Sequence, residues 1–228
     1  MFARWISALF SDAGPMKLEK RPGRSSDGLR TINVKSRASC AECNSGWMSR
    51  AEMAAKPLLT AIFRGERVVW DEDEQIAVAR WSMKTALMLD RSSAEARIVP
   101  AEHFSYLYRE QAPPPSVAVY LSQYFPAAGE VNHATVGSCY RPTGVDPFLY
   151  PNPYKITFSV GQAIFEVFGH TGSAALEIRR MGYRSRSGLV VPTVDQFRQL
   201  WPLPGCTYEW PPQGGHLGTH NLEVLARL

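Results

Sequence analysis

The sequence predicts an α+β fold in which a helical region, residues 1–92, packs on a β-rich domain, residues 93–228. Apolar residues between positions 47 and 90 recur at steps of three and four, which is the spacing of a buried helix face. β-branched and aromatic runs follow the prolines at 113–115, with turn residues between them, as in an antiparallel sheet. Hydrophobic residues make up 45% of the 228, which is enough to form a core.

Composition excludes several classes of protein. No apolar run approaches the roughly 18 residues that a membrane helix needs, so we expect no integral membrane protein. The first ten residues lack the pattern of a secretory signal. The four cysteines, Cys40, Cys43, Cys139 and Cys206, are too few for a disulfide scaffold, which favours a reduced, cytoplasmic protein.

Charge is distributed unevenly along the chain. Residues 1–70 contain 12 Lys and Arg against 6 Asp and Glu, a net charge of +6, whereas the remainder has a net charge of −2. A basic first third indicates a polyanionic partner at that end of the molecule.

The first predicted element is a short amphipathic helix over residues 2–10. Residues 11–39 are polar, basic and rich in Gly and Ser, so we expect a loop with at most one strand, Leu29 to Val34. A second helix begins at Trp47, and Gly65 is placed to end it. Pro57 lies within it and predicts a kink, or a division into two short helices.

The third predicted helix opens at the four consecutive acidic residues 71–74 and extends to about Asp90. Four carboxylates in a row are better explained as helix capping than as a metal site, because acidic groups satisfy the free amides of a first turn. Ten of the fifteen residues 75–89 are apolar, so this helix is expected to be buried on most sides.

The second half of the chain predicts an antiparallel meander with the strand regions 117–125, 133–141, 154–160, 162–170 and 175–181. The tail contains Trp201-Pro202, Pro204-Gly205 and Trp210-Pro211-Pro212. We expect this tail to wrap the domain without regular structure.

The strongest chemical signal is the pair Cys40 and Cys43, spaced C-x-x-C ahead of a helix. This spacing brings two thiolates onto one metal ion and is half of a tetrahedral zinc site, although a redox pair or two ordinary cysteines remain open. Asn44 follows at the mouth of the helix, where its amide can cap the helix or bind a metal or phosphate. Arg50 lies on the opening turns, near a helix N-terminus that favours anions.

The segments CAECNSGWMSRAEMAAKPLL (40–59) and QIAVARWSMKTALML (75–89) resemble bacterial and phage HNH-endonuclease-like proteins with a C-x-x-C-N-x-G-W-M-S-x-x-E signature. The Trp-Pro elements of the tail are similar to that group as well. The resemblance implies a ββα-metal motif in the helical region, built around a structural zinc on two C-x-x-C pairs. It also implies a catalytic Asp/Glu-His dipeptide and one divalent metal, such as magnesium, at the scissile phosphate.

By this resemblance Cys40 and Cys43 are zinc ligands, and Asn44 matches the last residue of the catalytic HNH triad. Lys35, Arg37 and Arg50 flank the thiol pair in the basic third, and we expect them to contact phosphates. DNA is therefore the expected partner. Two thiolates supply only half of a tetrahedral zinc site, so we expect weak zinc binding.

The sequence departs from the family in lacking the first C-x-x-C pair and the Glu-His ahead of Cys40. It therefore looks like either a family member truncated before that motif or a degenerate, non-cleaving relative. Both would be catalytically impaired as written, and the chain would be an endonuclease if the motif were restored. The alternative is a non-enzymatic module of a phage or mobile element that binds nucleic acid or protein. A Glu-His dipeptide occurs at Glu102-His103, but it lies 59 residues after Asn44, and we expect His103 to be an ordinary surface or loop residue.

Overall fold

The computed structural model describes residues 4–10, 19–21, 24–25, 39–92, 97–125, 136–140, 148–172, 197–211 and 217–218. The helices are α1 (Arg4–Leu9), α2 (Ala41–Ser45), α3 (Trp47–Arg64), α4 (Glu72–Ser92) and α5 (Ala101–Glu110). The strands are β1 (Glu19–Arg21), β2 (Arg24–Ser25), β3 (Val68–Trp70), β4 (Val117–Phe125), β5 (Val136–Tyr140), β6 (Tyr154–Val160), β7 (Ala163–Gly169), β8 (Arg198–Trp201), β9 (Tyr208–Trp210) and β10 (Leu217–Gly218). Mixed helices and antiparallel strands confirm the α+β class.

The main sheet has the order β10-β4-β7-β6-β5, and β8 pairs with β4. Strands β5, β6 and β7 form the expected antiparallel meander. The meander prediction is wrong for β4, which pairs with β7 in the register Val117↔Gly169 to Gln123↔Ala163. Eight of the nine β4 residues are buried, so the strand lies inside the sheet between β7 and β8 rather than beside β5.

Helix α4 is the centre of the core, as its composition predicts. All ten residues from 81 to 90 are buried, and the helix packs against α3, α5 and the main sheet. Trp81 lies 5.8 Å from Phe63 of α3, 5.9 Å from Phe158 of β6 and 5.4 Å from Phe165 of β7, measured between ring centroids. One apolar core therefore joins the helices to the sheet.

The acidic start of α4 serves the capping role expected of it. The N–H of Glu74 donates to Asp71 Oδ1 at 2.9 Å, and the N–H of Asp71 donates to Glu74 Oε2 at 3.1 Å. This reciprocal pair is a capping box, which satisfies two amides that the first turn leaves free.

Helix α3 continues from Trp47 to Arg64 through Pro57, so a division into two short helices is wrong. Pro57 is exposed, and Met53, whose carbonyl loses its amide partner, is 60% exposed, so water can satisfy that carbonyl. Gly65 ends α3 as predicted, with φ +72° and its N–H bonded to the carbonyl of Ile62 at 3.0 Å.

Helix α5 and strand β3 were not predicted, and the prediction of an irregular tail is wrong. The paired strands β1 and β2 lie within residues 11–39, so the prediction of at most one strand there is wrong as well. Helix α5 is amphipathic, but it has only ten residues, of which His103 and Leu107 are buried. The tail contains β8 and β9, and β9 pairs with β3. Trp70 and Tyr208 meet across that pair with ring centroids 4.5 Å apart, so long-range aromatic burial holds both short strands.

Helix α1 lies within the region predicted for it and packs on α3, where Trp5 stacks on Phe63 at 6.0 Å. The predicted strand regions Leu29 to Val34 and 175–181 lie outside the described residues. In the described part of the chain, no helix is both long enough and apolar enough to cross a membrane.

Candidate metal and nucleic-acid-binding site

The two C-x-x-C cysteines lie on the single short helical turn that precedes α3. Cys40 is the N-cap of the five-residue helix α2, and Gly46 separates α2 from α3. The N–H of Gly46 donates to the carbonyl of Glu42 at 2.8 Å. A Cβ on Gly46 would lie 2.7 Å from that carbonyl oxygen, so the turn requires glycine.

The sulfur of Cys40 is held by the backbone of the same turn. The N–H of Cys43 donates to Cys40 Sγ at 3.2 Å, and the N–H of Asn44 donates to the Cys40 carbonyl at 3.0 Å. Both cysteines are free; Cys40 is exposed and Cys43 is half-buried against the edge of the core. Two thiols are therefore presented from one turn, with one sulfur open to solvent.

The two thiols differ in acidity. The backbone N–H of Cys43, together with a hydrogen bond from its side chain, lowers the pKa of the Cys40 thiol below its ordinary value. The pKa of Cys43 is raised, chiefly by its side-chain hydrogen bond to Cys40 and then by burial. Cys40 thus ionises first, and the thiolate is the form that binds metals and reacts with electrophiles.

Trp47, the first residue of α3, anchors the cysteine turn to the rest of the molecule. It is 2% exposed and meets Phe104 at 5.9 Å and Tyr108 at 6.0 Å, in edge-on contacts with α5. The helix that the sequence analysis missed therefore fixes the orientation of the predicted site.

The signature glutamate, Glu52, has a structural role. Its carboxylate forms an ion pair and hydrogen bond with Lys84 of α4, whose side chain is only 3% exposed. Burial lowers the pKa of Lys84, and the charge of Glu52 opposes that shift. Glu52 thus ties the helix that follows the cysteine turn to the central helix.

Of the remaining predicted site residues, the structure describes two and leaves two outside the described ranges. The side chains of Asn44 and Arg50 are exposed, on α2 and on the first turn of α3. Lys35 and Arg37 lie outside the described residues. Across the described ranges, no group of three or more His, Cys, Asp or Glu side chains comes together. The donor set of Cys40 and Cys43 fits half of a tetrahedral zinc site.

His103 is not the surface or loop residue that the sequence analysis expected. It lies in α5 and is 5% exposed, because α5 packs it against Tyr154 of β6. Its Nδ1 is 2.7 Å from Tyr154 Oη, and its Nε2 is 3.3 Å from Ser116 Oγ. Burial lowers the pKa of His103 to about 4. Tyr154 is 51 residues away along the chain, so no local pattern could reveal this cluster.

Comparisons with protein-family models, with curated proteins and with solved structures found no match to this chain.

Proposed function

We propose that this chain is an HNH-endonuclease-like protein that binds DNA and holds zinc through Cys40 and Cys43. The observation that carries this proposal is the pair of free thiols on one turn, with a backbone N–H directed at Cys40 Sγ. A hydrogen bond to sulfur favours the thiolate, and thiolates are soft ligands that select zinc among common divalent metals.

Zinc titration against a chromogenic chelator tests the metal part of the proposal. The full chain is expected to bind zinc weakly, at one ion per chain or less, because the described residues bring only two ligands together. Cys40→Ser should abolish this binding. Cys206→Ser is the matched control, because Cys206 is also free and exposed. Equal zinc binding by Cys40→Ser and Cys206→Ser would contradict the proposal.

Arg50 carries the expected DNA contact among the described residues. It is exposed at the start of α3, in the basic first third of the chain. In anisotropy titrations with a labelled duplex, affinity should fall steeply between 50 and 200 mM salt, as counterion release requires. Arg50→Gln should weaken binding by about three- to tenfold at low salt.

Arg64→Gln is the matched control for Arg50→Gln. Arg64 is exposed and lies on the same helix, about 21 Å from Arg50 at 1.5 Å per residue. Its loss should leave the affinity nearly unchanged. Equal losses in the two variants would mean that binding is diffuse and that Arg50 has no particular contact.

We infer DNA binding without strand cleavage as the activity of this chain. The Glu-His dipeptide of the printed sequence is Glu102-His103, and its imidazole is buried against Tyr154 and Ser116. Supercoiled plasmid incubated with the protein and magnesium or manganese should stay intact. Metal-dependent nicking that disappears in Asn44→Ala would contradict this inference and make Asn44 a catalytic residue, as its match to the HNH triad implies.

A further inference from the structure

A cavity of about 410 Å³ opens between the start of α5, the turn before β4 and the turn after β7. Pro100, Pro114 and Pro115 contribute rigid apolar walls, and Tyr106 adds an aromatic ring. A volume of this size lies in the usual range for small-molecule sites, which combine apolar walls with a few fixed polar groups.

Two buried polar side chains, His103 and Ser116, line the inner part of this cavity. Behind them lies Tyr154, which is 1% exposed, and a Cβ on Gly169 would come within 2.3 Å of its hydroxyl oxygen. Burial raises the pKa of Tyr154, so its phenol keeps its proton. Within the described structure, His103 Nδ1 is the acceptor in range of that proton.

The buried phenol fixes the tautomer of His103. If Nδ1 carried the proton, the Tyr154 hydroxyl would lack a described acceptor in the interior, which is costly. With the proton on Nε2, Tyr154 donates to Nδ1, Nε2–H donates to Ser116 Oγ, and all three groups are satisfied. Ser116 lines the cavity, and because its Oγ accepts from His103 in this tautomer, its own proton is left for a ligand there. In this arrangement Ser116 is a hydrogen-bond donor to a ligand and not a nucleophile activated by His103.

The charges around the cavity select among ligands. Glu102 is exposed at its mouth, and the described lining residues include neither Lys nor Arg. His103 is neutral near pH 7 because burial lowers its pKa to about 4. Arg109 lies outside the lining, with its guanidinium over the Tyr106 ring at 5.9 Å from the centroid. The lining itself offers an acceptor to an amine at Glu102 and a donor to a carbonyl or ring nitrogen at Ser116.

We propose that this cavity binds an amine-bearing nucleobase of the cytosine or adenine type. The planar base packs against Tyr106 and the proline walls. Its exocyclic amine donates a hydrogen bond to Glu102, and its ring acceptor accepts a hydrogen bond from the Ser116 hydroxyl. Aromatic and proline surfaces suit the flat face of a base, and a carboxylate acceptor and a hydroxyl donor complement the amine and the ring acceptor on its edge. The base can come from a free nucleoside or from an unpaired position in a nucleic acid.

Calorimetric titration of the full chain with cytidine, adenosine, uridine and choline tests the chemistry. Cytidine or adenosine should bind saturably and at least tenfold more tightly than uridine, which lacks the exocyclic amine. Ser116→Ala should weaken binding at least fivefold, and Glu102→Gln should remove the preference for cytidine over uridine. Glu110→Gln is the matched control, because Glu110 is exposed at the other end of α5 and outside the cavity lining.

Three results would overturn this proposal: no saturable binding of either amine-bearing nucleoside, binding unchanged in both cavity variants, or tighter binding of choline than of cytidine. Competition then identifies the source of the base. Displacement of cytidine by a short single-stranded oligo(dC) would assign the site to nucleic acid, and cytidine binding without such competition would assign it to a free nucleoside. The readout does not involve zinc or Arg50, so duplex binding can fail while nucleoside binding holds.

Discussion

The cysteine turn, residues 40–46, and the cavity lined by His103 are built in opposite ways. The turn places Cys40, Cys43 and Asn44 within five residues and presents its polar groups to solvent. The cavity is lined by His103 and Ser116, and Tyr154 lies behind them. These three residues are separated by up to 51 positions and are all at least nine-tenths buried. Local spacing therefore reveals the first site, whereas only the fold assembles the second. Trp47 couples the two regions, because it follows the turn and packs on the helix that carries His103.

The largest expected effect comes from removing that coupling. Trp47→Ala deletes a 2%-exposed indole and should lower the free energy of unfolding by about 3–5 kcal/mol. For a chain of this length, that corresponds to a fall in Tm of roughly 10 °C in a thermal melt. A Trp47→Ala variant with nearly the native Tm would show that α5 does not anchor the turn. Trp47→Phe retains an aromatic contact and should lose much less.

A second prediction concerns the support of the cysteine turn by α4. Glu52→Ala leaves Lys84 charged and buried without its partner, which should cost about 3 kcal/mol in a denaturant titration. Lys84→Met removes the buried charge itself. Glu52 then loses its partner, but its side chain is already 18% exposed, so this variant should lose less free energy of unfolding. Equal losses in the two variants would show that lost packing dominates over the unpaired charge.

A third prediction concerns pH and the buried imidazole. The pKa of His103 is about 4 in the folded protein and near 6.5 in the unfolded chain, so the unfolded state binds more protons between these values. Stability should therefore be highest above pH 6.5 and fall as the pH drops towards 4, by up to about 1.4 kcal/mol per pH unit from this group. Denaturant titrations across this window should give a shallower slope for His103→Gln. An unchanged slope would mean that His103 ionises normally in the fold.

The smallest expected effect is the reactivity of the exposed thiol. Because the pKa of Cys40 is lowered, the pH profile of its alkylation by iodoacetamide should lie at lower pH than the profile of Cys206 in the same molecule. Mass spectrometry of peptides from a pH series measures both rates at once. Identical pH profiles would remove the argument that the Cys43 amide stabilises a thiolate.

Much of the fold could be predicted from periodicity. The ten apolar residues in 75–89 predict a buried α4, and β4, β6 and β7 lie in their predicted strand regions, because these segments carry their burial pattern in adjacent residues. Helix α5 and strands β3 and β9 were missed, because each is short and is held by distant partners. The β4–β7 pairing was missed for the same reason, since strand order depends on which edges the tertiary fold buries.

Prediction of the candidate sites follows the same division. The spacing of Cys40 and Cys43 predicts a shared turn, and the structure places both thiols on it. The pairing of Glu52 with Lys84 and the relay from Tyr154 to Ser116 depend on contacts between separate elements. Zinc and DNA binding at the turn remain predictions.

Duplex affinity measured with and without added zinc tests the central claim most directly. We expect zinc to tighten duplex binding by the native chain and by Cys206→Ser, but not by Cys40→Ser, because of these two cysteines only Cys40 belongs to the turn that we propose as a zinc site. Equal affinities for all three proteins, with no response to zinc, would contradict the claim that the Cys40–Cys43 turn is the metal-dependent part of a DNA-binding site.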